Sequence, residues 1–239
     1  MSFALTALFA ALTSAEAVVT VLNTAASTGP RKFAEAKELL AREAKAGLPL
    51  QQFVTGLTTS DKDLSKKYLD AARPRILAMA EKKNNSMAWY LLSMENNDLG
   101  MLRKAADGGN VQALNALGAI DTQEALNNKR LSSNEVERVL HRSFGYFGQA
   151  AALRDANGFI NLGTCYLRGL GCEQDMELAF ACFKSAAELG HPEGMDYMSA
   201  AYEHGHGVRK DAERSLYWKM RGRAARGDEA ADRWLRERK

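Results

Sequence analysis

The chain has 239 residues, of which 46% are hydrophobic and 26% charged, with 4 Pro and 19 Gly. That composition buries a sizeable core and excludes a disordered, collagen-like or disulfide-stapled chain. A net charge of +3 is too small to mark the whole protein as a nucleic-acid binder.

The N-terminal segment 1–28 has two readings. Phe3 to Leu12 is largely apolar, and Ala15-Glu16-Ala17 has the small-x-small form of a signal-peptidase site. Against a signal peptide stands the missing positive n-region. Ser2, Thr6, Thr13, Glu16, Thr20 and Asn23 also recur at helical spacing, opposite Leu5, Leu8, Phe9, Leu12, Val19 and Leu22. The favoured expectation is an amphipathic N-terminal helix docked as a cap, with a cleaved signal segment over residues 1–17 as the alternative. The first reading goes with a cytoplasmic protein, the second with a periplasmic or secreted one. Cys165, Cys172 and Cys182 are an odd number and slightly favour reducing surroundings. No run reaches the roughly 18 apolar residues that span a bilayer.

Residues 29–100 are expected to form degenerate helical hairpins, with Thr58–Asp61 as a loop. Ala44-Lys-Ala-Gly47 with Pro49 echoes Ala187-Glu-Leu-Gly190 with Pro192. Asn85-Ser-Met-Ala88 resembles Asn110-Val-Gln-Ala113.

From residue 101 to 228 a repeat is legible. A shift of 36 residues places Leu162 on Met198, Tyr166 on Tyr202, Gly169 on Gly205, Gly171 on Gly207 and Asp175 on Asp211. A further shift of 45 carries Ala105-Ala106 onto Ala150-Ala151 and Leu117-Gly118 onto Leu162-Gly163. The extra length of that earlier unit falls in the polar stretch Asp121–Asn134, which reads as a longer loop between two helices. Each unit reads as a helix pair. The first helix ends near Arg168, where Gly169 supplies a left-handed residue that would cost a side chain about 1 kcal/mol. Asp175 and Asp211 suit the N-caps of the second helices, each worth about 1 kcal/mol. Gly190 and Pro192 are expected to stop the second helix. Neither helix persists alone at such lengths, so neighbouring units must stack. Residues 229–239, with Ala230, Ala231, Trp234 and Leu235 on one side, read as a C-terminal capping helix.

The stretch Asn161-Leu-Gly-Thr-Cys-Tyr-Leu-Arg-Gly-Leu-Gly-Cys-Glu-Gln-Asp175, followed by Phe183-Lys-Ser-Ala-Ala-Glu-Leu-Gly190, resembles the Sel-one-like repeat, a relative of the tetratricopeptide repeat. The next unit keeps Tyr202, Gly205-His-Gly-Val208, Asp211 and Ala224-Ala225-Arg-Gly227, with one extra residue before Gly227. The resemblance is strong over 156–230 and weaker over 101–155, where Gly-x-Gly is absent and Arg154 replaces the expected Gly. It implies an all-α fold: a right-handed superhelical α/α solenoid of tetratricopeptide-like hairpins with capping helices at both ends.

Catalytic and metal chemistry find little footing. His204-Gly-His206 and the cysteines could suggest a metal, yet no Cys-x-x-Cys or His-Glu-x-x-His is present. The cysteines fall opposite Ala201, Val208 and Trp218, so they read as small core hydrophobes. Gly169-x-Gly171 follows a helix rather than a strand and is a turn device, not a phosphate loop. Gly-x-Ser-x-Gly is absent and His141 has no motif around it. No metal, cofactor or catalytic residue is therefore assigned.

Residues 209–239 hold 11 basic against 6 acidic residues, so the C-terminal region is a basic patch that could face an acidic partner. Nucleic acid is disfavoured there, because Tyr217 and Trp218 read as core and leave the arginines without stacking partners.

In tetratricopeptide-like folds the first helices line a concave surface. Residues spaced 4, 3 and 4 along the first helix of the central unit give Asn157, Asn161, Thr164 and Arg168. The following unit contributes Glu193, Tyr197 and His204, and the preceding one Gln112 and Gln123. The expected partner is a protein or peptide held in this groove by a non-catalytic scaffold. The resemblance allows a bacterial adaptor in envelope assembly or signalling, or an immunity protein that neutralises an effector. A hydrolase acting in the groove is the alternative from another class.

Overall fold

The computed structural model describes Ala44 and residues 49–238, so the expectations for residues 1–28 lie outside it. The described residues form eleven α-helices and no strands. None of these helices is long and apolar enough to cross a membrane. The described residues fall into two compact units, divided between Ala113 and Leu114.

The described part of the first unit holds α1 (Pro49–Thr58), α2 (Lys62–Lys83), α3 (Ser86–Asn96) and α4 (Leu99–Asp107). Its core is built from Phe53 and Val54 on α1, Ala72, Ile76 and Ala80 on α2, and Met87, Leu91 and Leu92 on α3. The four-residue spacing on α2 puts its apolar side chains on one stripe. Residues 59–61 are the expected short loop, and Asp61 caps α2 by accepting from the amides of Asp63 and Leu64 at 3.0 Å. Asn85 and Asp98 cap α3 and α4 in the same manner. Across the hairpin, the Ser65 hydroxyl donates to the Gly56 carbonyl at 2.7 Å.

Helix α5 (Val111–Asn127) begins in the first unit and continues into the second, which also holds α6 (Ser133–Ala152), α7 (Ala156–Arg168), α8 (Met176–Glu188), α9 (Pro192–His204), α10 (Ala212–Ala225) and α11 (Glu229–Arg236). Consecutive helices pack as antiparallel hairpins, and the core cluster of Ala179, Phe183, Ala187, Met195, Met198 and Tyr202 joins one hairpin to the next. Aromatic packing repeats with the sequence period. Phe144 meets Tyr166 edge-on at 5.4 Å, and Phe180 meets Tyr202 edge-on at 5.6 Å.

Two features of the repeat are set by backbone contact. The first glycine of each Gly-x-Gly, Gly169 or Gly205, takes the expected left-handed C-cap conformation, at φ 67° and 79°. The second glycine lies against the preceding second helix: a Cβ on Gly171 would overlap the Leu140 carbonyl of α6, and one on Gly207 would overlap the Met176 carbonyl of α8. The turn therefore also serves as the contact between one hairpin and the previous one.

The junction from a second helix to the next first helix is equally regular. Residue 109, 154, 190 or 227 adopts positive φ there, between 61° and 94°. Its amide donates three residues back, as in Arg154 to Ala151 at 2.8 Å and Gly190 to Ala187 at 3.0 Å, and the next amide donates five residues back. Arg154 thus holds, with φ 61°, the conformation that glycine holds at the other three junctions. The following residue is the N-cap: Asp155 accepts from Gly158 N and Asp228 from Ala231 N. At His191 no side-chain cap bond forms, and its Nδ1 is buried without a hydrogen-bond partner.

Two expectations change. Asp121–Asn134 is largely helix: α5 runs to Asn127, and only residues 128–132 connect it to α6. The polar side chains taken as loop residues join the two longer helices. Asp121, buried, pairs with the Arg142 guanidinium at 2.6 and 2.7 Å, while the Thr122 and Ser143 hydroxyls, 2.6 Å apart, share their two protons between each other and the Gly118 carbonyl. The Ser132–Glu135 capping box starts α6. Pro192 does not terminate α8. It is the first residue of α9, where its missing amide hydrogen leaves no bond unmade.

Three outcomes follow in equilibrium unfolding. Gly171→Ala loses about 2–4 kcal/mol through backbone overlap and left-handed strain, whereas Gly145→Ala, whose Cβ meets nothing in the interior of α6, is neutral or stabilising by about 0.5–1 kcal/mol. Arg154→Gly gains about 1 kcal/mol by relieving left-handed strain; unchanged or lower stability in urea denaturation would contradict that. His191 has its pKa lowered below 6.5, first by burial and also by Arg226, with Glu193 and Asp155 opposing. The folded state therefore binds its proton less readily than the unfolded chain. Its contribution is full above the unfolded value and is lost as pH falls through 6.5 to the lower folded pKa. His191→Asn removes this slope and adds a cap worth about 1 kcal/mol at neutral pH, read from melting curves between pH 5 and 8.

Candidate binding surface

The first helices α5, α7 and α9 present the residues expected to line the groove. Gln112 lies in the first turn of α5, half-buried and within the first unit. In the second unit, Gln123, Asn157, Arg168, Glu193 and His204 are exposed. Arg168 sits in the last turn of α7 and Glu193 in the first turn of α9, so each charge complements its helix dipole and leaves its head group in solvent. The His204 ring lies 5.5 Å from that of His206.

The remaining three are engaged inside the fold. Thr164 donates back to the Ile160 carbonyl of its own helix at 2.9 Å. Tyr197 stacks flat on Phe183, with centroids 4.0 Å apart and planes 8° apart, so one ring face belongs to the core. Asn161 donates from Nδ2 to Asn115 Oδ1 at 3.1 Å, and Asn115 donates in turn to Asp155 Oδ1 at 2.7 Å. This chain ties α5 to α7 and aims the Asp155 carboxylate at the α7 amide it caps. Asn115 and Asp155 were missed in the sequence. Asn115 follows Gln112 by three residues, on the same stripe of α5, and that spacing was its legible signal.

Next to α6 an open cavity of about 590 Å³ is bounded by Val136, Leu140, His141, Gly171 and Cys172. His141 is exposed and, among the described residues, makes no hydrogen bond to a thiol or carboxylate. Burial, with Asp175 adding to it, raises the Cys172 pKa and opposes thiolate formation. Burial likewise pushes Cys165 up to about 12, helped by Cys172 and Cys182, and Cys182 up to about 11. All three cysteines are free. Among the described residues no group of three or more His, Cys, Asp or Glu side chains could hold a metal ion.

The basic C-terminal region departs from expectation at one aromatic. Trp218 packs against the core cluster, but Tyr217 is 43% exposed. The rings meet edge-on at 5.7 Å, with the Arg221 guanidinium over both. Several neighbouring cations are paired, Arg223 with Asp228, Arg226 with Asp196 and Arg214 with Asp211.

Residues 130–155, 160–191 and 192–218 match the Sel1 repeat model. Among curated proteins, the chain is 29% identical over 93 residues to the DAP3-binding cell death enhancer 1 of Mus musculus and 28% identical over the same length to that of Rattus norvegicus. Each match covers 39% of this chain and 16% of the relative, so the chain spans about a sixth of the relatives' length. Among solved structures, a Sel1 repeat protein from Oxalobacter formigenes is 27% identical, with a TM-score of 0.45 over 53% of this chain and 90% of that one. A protective antigen of uropathogenic Escherichia coli displaying an SLR fold is 16% identical, with a TM-score of 0.36 over 94% of this chain and 58% of that one. With helix pairs, turn glycines and caps recurring at the same period, the chain carries three Sel1 repeats within residues 130–218.

Proposed function

We propose that this protein is a non-catalytic interaction scaffold that holds a partner protein or peptide along the first helices of its repeats. The observation that carries the reading is the row of exposed polar side chains on α7 and α9, Asn157, Arg168, Glu193 and His204, above a core that the helices have already satisfied. Such side chains offer donors, acceptors and both charge signs without supplying a nucleophile and base in contact. Sel1 repeats commonly mediate protein association, and the name of the mammalian relatives describes a protein that binds another protein. Within this reading the partner is either the client of a bacterial adaptor or an effector neutralised by an immunity protein. The hydrolase alternative draws less support, because His141 has no hydrogen-bonded partner among the described residues and burial raises the Cys172 pKa, which opposes thiolate formation.

Asn161 and Tyr197 are unsuitable probes, since replacing them also breaks the link to Asn115 and the stack on Phe183. Asn157→Ala, Arg168→Glu and Glu193→Lys alter exposed positions only; the two charge reversals oppose their helix dipoles, so the variant should stay folded with a melting temperature lowered by a few degrees. Tagged wild type recovered from its native cells retains a protein that this triple variant loses, identified by mass spectrometry and reconstituted from purified components. Equal retention by the variant, or turnover abolished by His141→Ala, would overturn the proposal.

A further inference from the structure

The last two described helices enclose a cavity of about 550 Å³ that the groove reading does not use. Tyr217 and Arg221 of α10 form one wall, and Trp234 and Leu235 of α11 with Arg238 form the other. Its chemistry is unlike that of the polar first helices. Trp234 and Leu235 are half-buried and line it with apolar surface, beside the guanidinium groups of Arg221, Arg236 and Arg238.

Among the arginines that line the cavity, pairing separates Arg221 and Arg238 from Arg236. Arg214, Arg223, Arg226 and Arg236 each have a carboxylate partner, in Asp211, Asp228, Asp196 and Asp232. Arg221 and Arg238 have none among the described residues. Arg238 instead lies 4.3 Å above the Trp234 ring, and Arg221 lies 5.1 Å above Trp218 and 5.9 Å above Tyr217. A guanidinium over an aromatic ring is held by cation–π attraction and planar stacking, and its N–H edge stays available. That edge matches a carboxylate in bidentate geometry. The ordering cost that usually weakens an exposed arginine ion pair is therefore reduced before any ligand arrives.

We infer that this cavity is a second binding site, which takes an acidic peptide segment of a partner protein: carboxylate side chains on Arg221 and Arg238, and a neighbouring apolar side chain between Tyr217, Trp234 and Leu235. Charge complementarity commits the site to that occupant, since residues 209–239 carry 11 basic against 6 acidic residues. A nucleic-acid backbone fits less well. The Asp232 carboxylate in the cavity wall is already paired with Arg236, and the two unpaired guanidiniums that line the cavity define a pocket rather than a track along which phosphates could run.

The test is fluorescence anisotropy on the full chain with three labelled probes: a peptide of alternating Glu and Leu, the same peptide with Gln for Glu, and a single-stranded oligonucleotide of equal charge. Wild type binds the Glu peptide roughly tenfold or more tightly than either other probe, and Arg221→Gln with Arg238→Gln abolishes that margin. Arg221→Lys with Arg238→Lys, which keeps the charge and removes the planar fork, recovers only part of it; full recovery would show plain charge attraction and overturn the site as drawn. The groove variant of Asn157, Arg168 and Glu193 binds the Glu peptide as wild type does, which separates this site from the proposed scaffold surface. Equal affinity for the Glu and Gln peptides, or tighter binding of the oligonucleotide, overturns the inference. Thermal melts by circular dichroism accompany each variant, and if the Gln pair does not fold, the Lys pair decides.

Discussion

The repeats of the second unit depend on how closely a turn can approach the helix before it. Gly171 brings the α7–α8 turn onto the Leu140 carbonyl of α6, and Gly207 brings the α9–α10 turn onto the Met176 carbonyl of α8. A side chain at either position meets backbone, which cannot rotate aside as a flexible side chain would. Once that distance is set, Tyr166 and Tyr202 come against Phe144 and Phe180 in the same edge-on geometry. The hydrophobic contacts stabilise the stack, and the glycine contact sets the spacing at which they form.

At the opposite junction, between one second helix and the next first helix, hydrogen bonds define the geometry and the residue type is more tolerant. Gly109, Arg154, Gly190 and Gly227 share one backbone conformation and one pattern of reverse hydrogen bonds. Arg154 shows that the surrounding bonds can impose a left-handed residue against its intrinsic preference. His191 shows the same tolerance at the cap, where Asn110, Asp155 and Asp228 supply an oxygen and histidine does not. The departures of this sequence from its own repeat therefore reduce stability locally and leave the path of the chain unchanged.

The surface chemistry follows from which side chains this framework engages. Asn161, Thr164 and Tyr197 share a helical stripe with Asn157, Arg168, Glu193 and His204, but the first three are held by Asn115, by a carbonyl of their own helix and by Phe183. Face membership is a property of spacing along one helix. Engagement is a property of the neighbouring helix, which is why the stripe was legible and its division was not. The cysteines illustrate the reverse case. Their alignment with apolar positions already marked them as packing residues, and the burial that raises their pKa values is the same property seen electrostatically.

What the sequence determined by itself was the local order. Helix ends at Arg168 and His204, caps at Asp175 and Asp211, and the period that joins them are written in short-range residue preferences, which act over three or four positions and need no tertiary information. Tertiary structure alone decided the rest. Asp121 and Thr122 read as polar loop chemistry until α6 supplies Arg142 and Ser143 and completes their bonds, because a polar residue favours helix or loop according to whether a distant partner satisfies it. Tyr217 and Trp218, adjacent in the chain, are separated into an exposed ring and a packed one by the direction in which α10 meets its neighbour, a quantity no local spacing contains.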